Sequence, residues 1–187
     1  EKTFLGHHGN FNGEDIIDIV VRQPATARFI ARHLYNFFVA DEPQVPAWQI
    51  DPPRDPAAVN IIGDVFINSG YDIRETMRVI LNSDFFKSEA VRWAKVKSPT
   101  EVVVGTMRLI GDFTFPRPGL QPIGEETGYQ GQMLMDPPSV EGWHTGAEWI
   151  DSGALVRRIN FAADRMSDIE MPGIKSIIER IKARGNL

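Results

Sequence analysis

Between Pro137 and Asp151 the chain sets Trp143 and Trp149 around Glu141, His144 and Glu148, and Asp151 closes the stretch. Exposed indoles beside carboxylates make a surface on which sugars stack, and a pair of carboxylates is what glycoside hydrolysis requires as acid and base. On that chemistry Glu141, Glu148 or Asp151 supply the acid and base, while Trp143 and Trp149 hold the ligand. Loops also carry function more often than the elements they join. The structural alternative is that the two tryptophans pin a long loop to the core, each burying on the order of 200 Å².

Other polar residues invite the same comparison. His33 lies on a helical run whose neighbours are mostly apolar, so its ring must find a partner or stay neutral. It is a candidate general base or metal ligand, or a histidine bonded to a backbone carbonyl. Arg28 and Arg32 stand at i, i+4, where like charges repel by a few tenths of a kcal/mol. Either a bound anion or internal carboxylates must compensate them. Glu101, Gly105 and Arg108, with Lys97 just before, form a polar seam. Arg157, Asn160 and Asp164 align at i, i+3, i+7, whereas Arg158 points elsewhere and could clamp the tryptophan loop from beneath. His7 and His8 are adjacent, which is poor ligand spacing without outside help. No Ser–His–Asp order, phosphate-cradling glycine loop or zinc-protease helix appears. No metal or cofactor is expected, and a metal-dependent protein using His33 or His144 is the third option.

The elements that must position these residues read as helices. Glu14 to Arg22 has helical period, and Pro24 suits the first position of the next helix, PATARFIARHLYNFFV. There Thr26, Phe29, Ile30, His33, Leu34 and Phe37 are expected on the buried face. A proline-punctuated loop, DEPQVPAWQIDPPRDP, follows. Helical period resumes from Ala57 to Asn68 and again after Asp72, which with Glu75 has capping-box spacing. Ser98-Pro99-Thr100-Glu101 is a second capping box, opening a helix that runs to Gly111. Phe113 to Gly131 is rich in proline and glycine and reads as irregular. Leu155 to Met166 and Ile174 to Ala183 close the chain. The expectation is an all-α, compact bundle of about seven helices with long ordered loops. It is read as one helical domain over residues 1–187, with no convincing strand.

Several separated segments, in order, resemble one known family. They are Lys2 with Phe4-Leu5-Gly6, Pro24 to Arg32, Asp72-Ile73-Arg74, Ile80 to Ser83, and Phe85-Phe86. Lys97-Ser98-Pro99 with Glu101, Pro137 to Val140 with Gly142-Trp143, Trp149-Ile150 and Arg158 complete the series. The chain is similar to the C-terminal part of bacterial domain-of-unknown-function family 1800. Two departures stand out: His33 occupies a position where lysine is expected, and His7-His8 lies outside the pattern. The resemblance implies an exported protein, periplasmic or extracellular, in which this chain is the C-terminal part of a longer one. It also implies a neighbouring-gene product related to sulfatase-like proteins, and it brings no catalytic residue with it.

Composition sets the remaining bounds. The chain has 187 residues, 42% apolar and 24% charged, with a net charge of −5. That is globular composition, and it lacks the basic stripe of a nucleic-acid binder. No cysteine is present, which removes disulfides, thiolate metal sites and cysteine nucleophiles. No apolar run approaches the roughly 20 residues that span a bilayer. The favoured function is a helical scaffold or interaction module acting with a partner protein or an envelope polymer. That partner is the missing N-terminal half or the neighbouring-gene product. The alternative is a hydrolase or lyase acting on an extracellular polysaccharide through residues 137–151.

Overall fold

The structure, a computed structural model, describes residues 1–112 and 118–185. It is all-α apart from one short hairpin, with nine α-helices among the described residues. Tertiary contacts gather into two compact units, Glu1–Lys95 and Val96–Leu187.

The first unit opens with β1 (Lys2–Phe4) and β2 (His7–Gly9), paired antiparallel with Thr3 opposite His8. This hairpin was not expected from the sequence, because three-residue strands are too short to show an alternating pattern. Its turn explains it. Leu5 and Gly6 both take positive φ, +46° and +81°, the backbone of a two-residue turn whose twist matches the strands.

Helix α1 (Gly13–Val21) starts at Asn12, whose side chain caps Asp15 while Asp15 caps Asn12 in return. Helix α2 (Pro24–Phe38) follows with proline in its first turn, as predicted. Its buried face corrects the sequence reading. Ala27, Ala31, Arg32 and Tyr35 are buried, whereas Phe29 and Phe37 are exposed. The reason is the neighbour: α3 (Pro56–Asn68) packs on α2 along small residues. A Cβ added to Gly63 would lie 3.7 Å from the Ala27 backbone. The close approach seats alanines at the contact and Tyr35 in the core beside it, and leaves Phe29 and Phe37 on the outward side. Helix α4 (Ile73–Asn82) is capped by Asp72, which accepts from the Arg74 and Glu75 amides. Glu75 does not close the expected reciprocal box; it pairs with Arg78 at 3.3 Å instead. A single-turn α5 (Asp84–Lys87) completes the unit. The core is Tyr35, Val39, Val59, Ile62 and Ile80 with three alanines, closed by Phe85 and Phe86.

The second unit is organised by α6 (Pro99–Ile110). Ser98 and Glu101 form the predicted capping box, and Gly111 ends the helix in the left-handed region. Helix α7 (Leu120–Tyr129) lies in a stretch read from sequence as irregular. Its internal Pro122 falls in the first turn, where a missing N–H costs nothing, so proline misled the reading. Residues 113–117 of that stretch lie outside the described residues. Helix α8 (Ser152–Met166) is capped by Asp151, and α9 (Pro172–Ala183) closes against α6. Val103, Met107, Ile110, Phe161 and Ile174 form this core. Among the described residues no helix is long and apolar enough to cross a membrane.

Candidate functional site

The tryptophan loop is held from both ends. Trp149, on a 3-10 turn (Gly146–Trp149), is buried at 6% exposure. Trp143 is half-buried, and its indole N–H donates to the Met133 carbonyl at 3.2 Å. Gln132 reaches back to α6, accepting from both the amide and the hydroxyl of Thr100, at 2.9 and 2.7 Å. Both indoles therefore anchor the loop.

The three carboxylates proposed as acid and base meet separate fates. Asp151 accepts from the Ala154 amide at 2.8 Å as the cap of α8. Glu148 lies 2.9 Å from His144 Nδ1, and the imidazole sits edge-on to Trp149. Glu141 is exposed, with its amide donating to the Ser139 hydroxyl. Arg158 is buried, but its Nη1 donates to the Lys97 carbonyl at 2.7 Å rather than to the loop. Its Nε and Nη2 have no protein partner. Burial holds this guanidinium below its ordinary range, while the charge of Asp151 acts in the opposite sense.

In the first unit the structure separates the two arginines read as an anion clamp. Arg28 is exposed and donates to Asn60 at 3.0 Å. Arg32 is buried and paired with Glu42 at 2.6 Å, with side-chain exposures of 6% and 0%. Its remaining donors hold the Asp51 and Pro52 carbonyls at 2.9 and 3.1 Å. Glu42 in turn accepts from the Arg54 amide at 2.7 Å. One ion pair thus fastens both ends of the proline loop to α2. Trp48 of that loop lies over the guanidinium, 4.5 Å from its carbon, and donates its own N–H to the Pro43 carbonyl.

His33 is half-buried beside this pair, with ring centroids 4.5 Å from Phe29 and 4.6 Å from Trp48. Desolvation between the two rings lowers its pKa from the ordinary histidine value. Sequence reasoning missed Glu42 and Trp48. The signal was there: carboxylates and a tryptophan in a long loop that follows an arginine-bearing helix.

A cleft of about 350 Å³ is lined by Glu126, Arg157, Asn160, Phe161, Asp164 and Arg165. Arg157 grips Glu126 through two bonds, 2.9 and 2.7 Å, and lies over the Tyr129 ring. The hydrogen bond and charge of Glu126 raise the Arg157 pKa above its ordinary range. The polar line Arg157, Asn160 and Asp164 therefore faces a cleft, but its strongest pair is closed on itself. Glu101, Gly105 and Arg108 all face solvent. His8 bonds to Thr3 at 2.7 Å. No cluster of potential metal ligands occurs among the described residues.

Fold and site together define an all-α protein whose conspicuous polar residues fasten long loops to helices. Residues 1–184 match the family described as "Protein of unknown function (DUF1800)", and the chain belongs to it. No curated protein and no solved structure matches it.

Proposed function

We propose that the chain is a helical interaction module of an exported bacterial protein, acting with a partner protein or an envelope polymer. The supporting observation is the outward face of α8. Leu155, Val156, Ile159 and Met166 are all exposed. At 100° per residue they occupy a sector of about 100°, the width of a helix face that packs. The opposite side of the same helix is already buried through Ala154, Arg158 and Phe161. A helix with two apolar faces and one partner is built to receive a second. The candidate catalytic groups favour the same reading, since Asp151 and Glu148 are engaged in local bonds and Trp149 is out of reach of a ligand.

The test is site-specific photo-crosslinking in the producing cell, with the probe at Val156 or Ile159 and a control at exposed Glu14. A discrete adduct at the α8 positions and none at the control is expected. Absence of any adduct, together with polysaccharide cleavage that Glu141→Gln or Glu148→Gln abolishes, would replace this reading with the hydrolase one.

A further inference from the structure

The loop between α7 and α8 carries a second exposed apolar feature, and its charge says what it fits. Met135 is 94% exposed and Val140 fully exposed, and Met133 and Leu134 are also exposed. Such side chains are ordinarily buried. Here they stand on a loop that is closed on itself. The Trp143 indole and the Asp136 amide both donate to the Met133 carbonyl, and the Gly142 amide donates to that of Ser139. Met135 also has a φ of +64°, a conformation that costs a non-glycine residue of this size some strain. The backbone is thus fixed in a way that presents a large apolar side chain to solvent.

The surroundings are acidic. From Gly119 to Val156 the chain has six carboxylates, Glu125, Glu126, Asp136, Glu141, Glu148 and Asp151, and no lysine or arginine. Glu126 is neutralised by Arg157, and Asp151 caps α8. Asp136 and Glu141 remain exposed, each directly following an exposed apolar residue, Met135 and Val140.

We propose that this loop is a docking site for a basic amphipathic helix of a partner protein. The inference rests on the interaction-module reading and names the chemistry of one partner. Methionine thioethers are flexible and polarizable, so a tip carrying Met133 and Met135 moulds to an apolar helical stripe. Asp136 and Glu141 select lysines and arginines flanking that stripe and repel an acidic helix. The same charges oppose docking on an anionic bilayer.

The probes are two labelled synthetic helices of about 18 residues, one patterned in Leu and Lys and the other in Leu and Glu. Fluorescence anisotropy with the full chain reads their affinity. The Leu/Lys helix is expected to bind at least about tenfold more tightly than the Leu/Glu helix, with an advantage that shrinks in high salt. Met135→Gly puts at this positive φ the residue that adopts it without strain, and it deletes the side chain. It is expected to weaken binding about tenfold, as loss of an anchor does. Asp136→Asn with Glu141→Gln is expected to flatten the salt dependence. Equal affinity for both helices, or no effect of Met135→Gly and Val140→Ser, would overturn the proposal. So would partition onto phosphatidylcholine vesicles that Met135→Gly abolishes. Any of these results, obtained while crosslinks from Ile159 persist, would sink this site and leave the interaction module standing.

Discussion

Removing one partner of the Arg32–Glu42 pair should be among the costliest single changes in the chain. Both side chains are almost without solvent contact, at 6% and 0% exposure. Glu42→Ala leaves a buried guanidinium without its counter-charge, a class of change that costs about 3–5 kcal/mol. It also strips the Arg54 amide of its acceptor. Against a typical total of about 5–15 kcal/mol, that loss removes roughly a fifth or more of the stability. Arg32→Met should cost a similar amount by stranding the carboxylate. The double variant Arg32→Met with Glu42→Leu is expected to cost less than either single one, roughly 1–3 kcal/mol. The charges then leave together, while the Asp51 and Pro52 carbonyls still lose their donors. Urea unfolding followed by tryptophan fluorescence measures all three, since Trp48 lies on the guanidinium. Arg22→Ala is the internal control. Its pair with Asp18 is more than 60% exposed on both sides and should be worth under about 1 kcal/mol. If Glu42→Ala costs no more than this control, or the double variant costs the sum of the singles, the pair does not fasten the proline loop as argued.

Four further outcomes are expected. Gly173→Ala should destabilise by at least the roughly 1–3 kcal/mol typical of overpacking, because its Cβ would collide with the Leu109 carbonyl. Gly105→Ala, exposed inside α6 with nothing within 4 Å, should instead stabilise by about 0.5–1 kcal/mol; opposite signs in thermal melts check the pair. The His33 ring should titrate below its ordinary value of 6.5 in an NMR pH series. With a folded pKa below the unfolded one, the unfolded chain binds more protons, so stability falls as pH drops through 6.5 and His33→Phe should remove that part of the slope. A titration at or above 6.5 would contradict the packing described. Ser98→Ala should cost about 1 kcal/mol by opening the capping box on α6, read from the shift in urea midpoint.

What the sequence disclosed follows the range of the interactions concerned. Local signals held: Pro24 opens α2, Ser98 and Glu101 close the box on α6, and Gly111 ends it. Each depends on residues within one turn. Which face of α2 is buried depends on α3, and period alone gave the wrong stripe because it weighs Phe29 and Phe37 above Ala27 and Ala31. Proline content hid α7, where Pro122 sits harmlessly in the first turn. The candidate site fared in the same way. The residue types in the 137–151 loop do suit sugar chemistry, but the fold sets the Trp143 N–H on Met133 and the Asp151 carboxylate on Ala154.

One physical cause links these polar residues. The segment between Phe38 and Pro56 and that between Tyr129 and Ser152 contain no α-helix, so their amides and carbonyls lack a ladder. Short backbone bonds satisfy some of them, such as Ile50 to Ala47 and Gly142 to Ser139, and side chains reaching across from a helix or from the loop itself satisfy others. Arg32 holds the Asp51 and Pro52 carbonyls and Glu42 the Arg54 amide in the first segment; the Trp143 indole holds the Met133 carbonyl in the second. The side chains suited to that task are long, polar and able to make several bonds in fixed geometry. Those same properties qualify a residue for catalysis, so a sequence with long ordered loops presents false catalytic candidates wherever a loop is fastened. Residues left over after this accounting carry more information. The exposed methionine and valine of the 131–145 loop fasten nothing, and neither does the outward stripe of α8. It is from these apolar residues, which bind no part of their own unit, that interaction with another molecule is inferred.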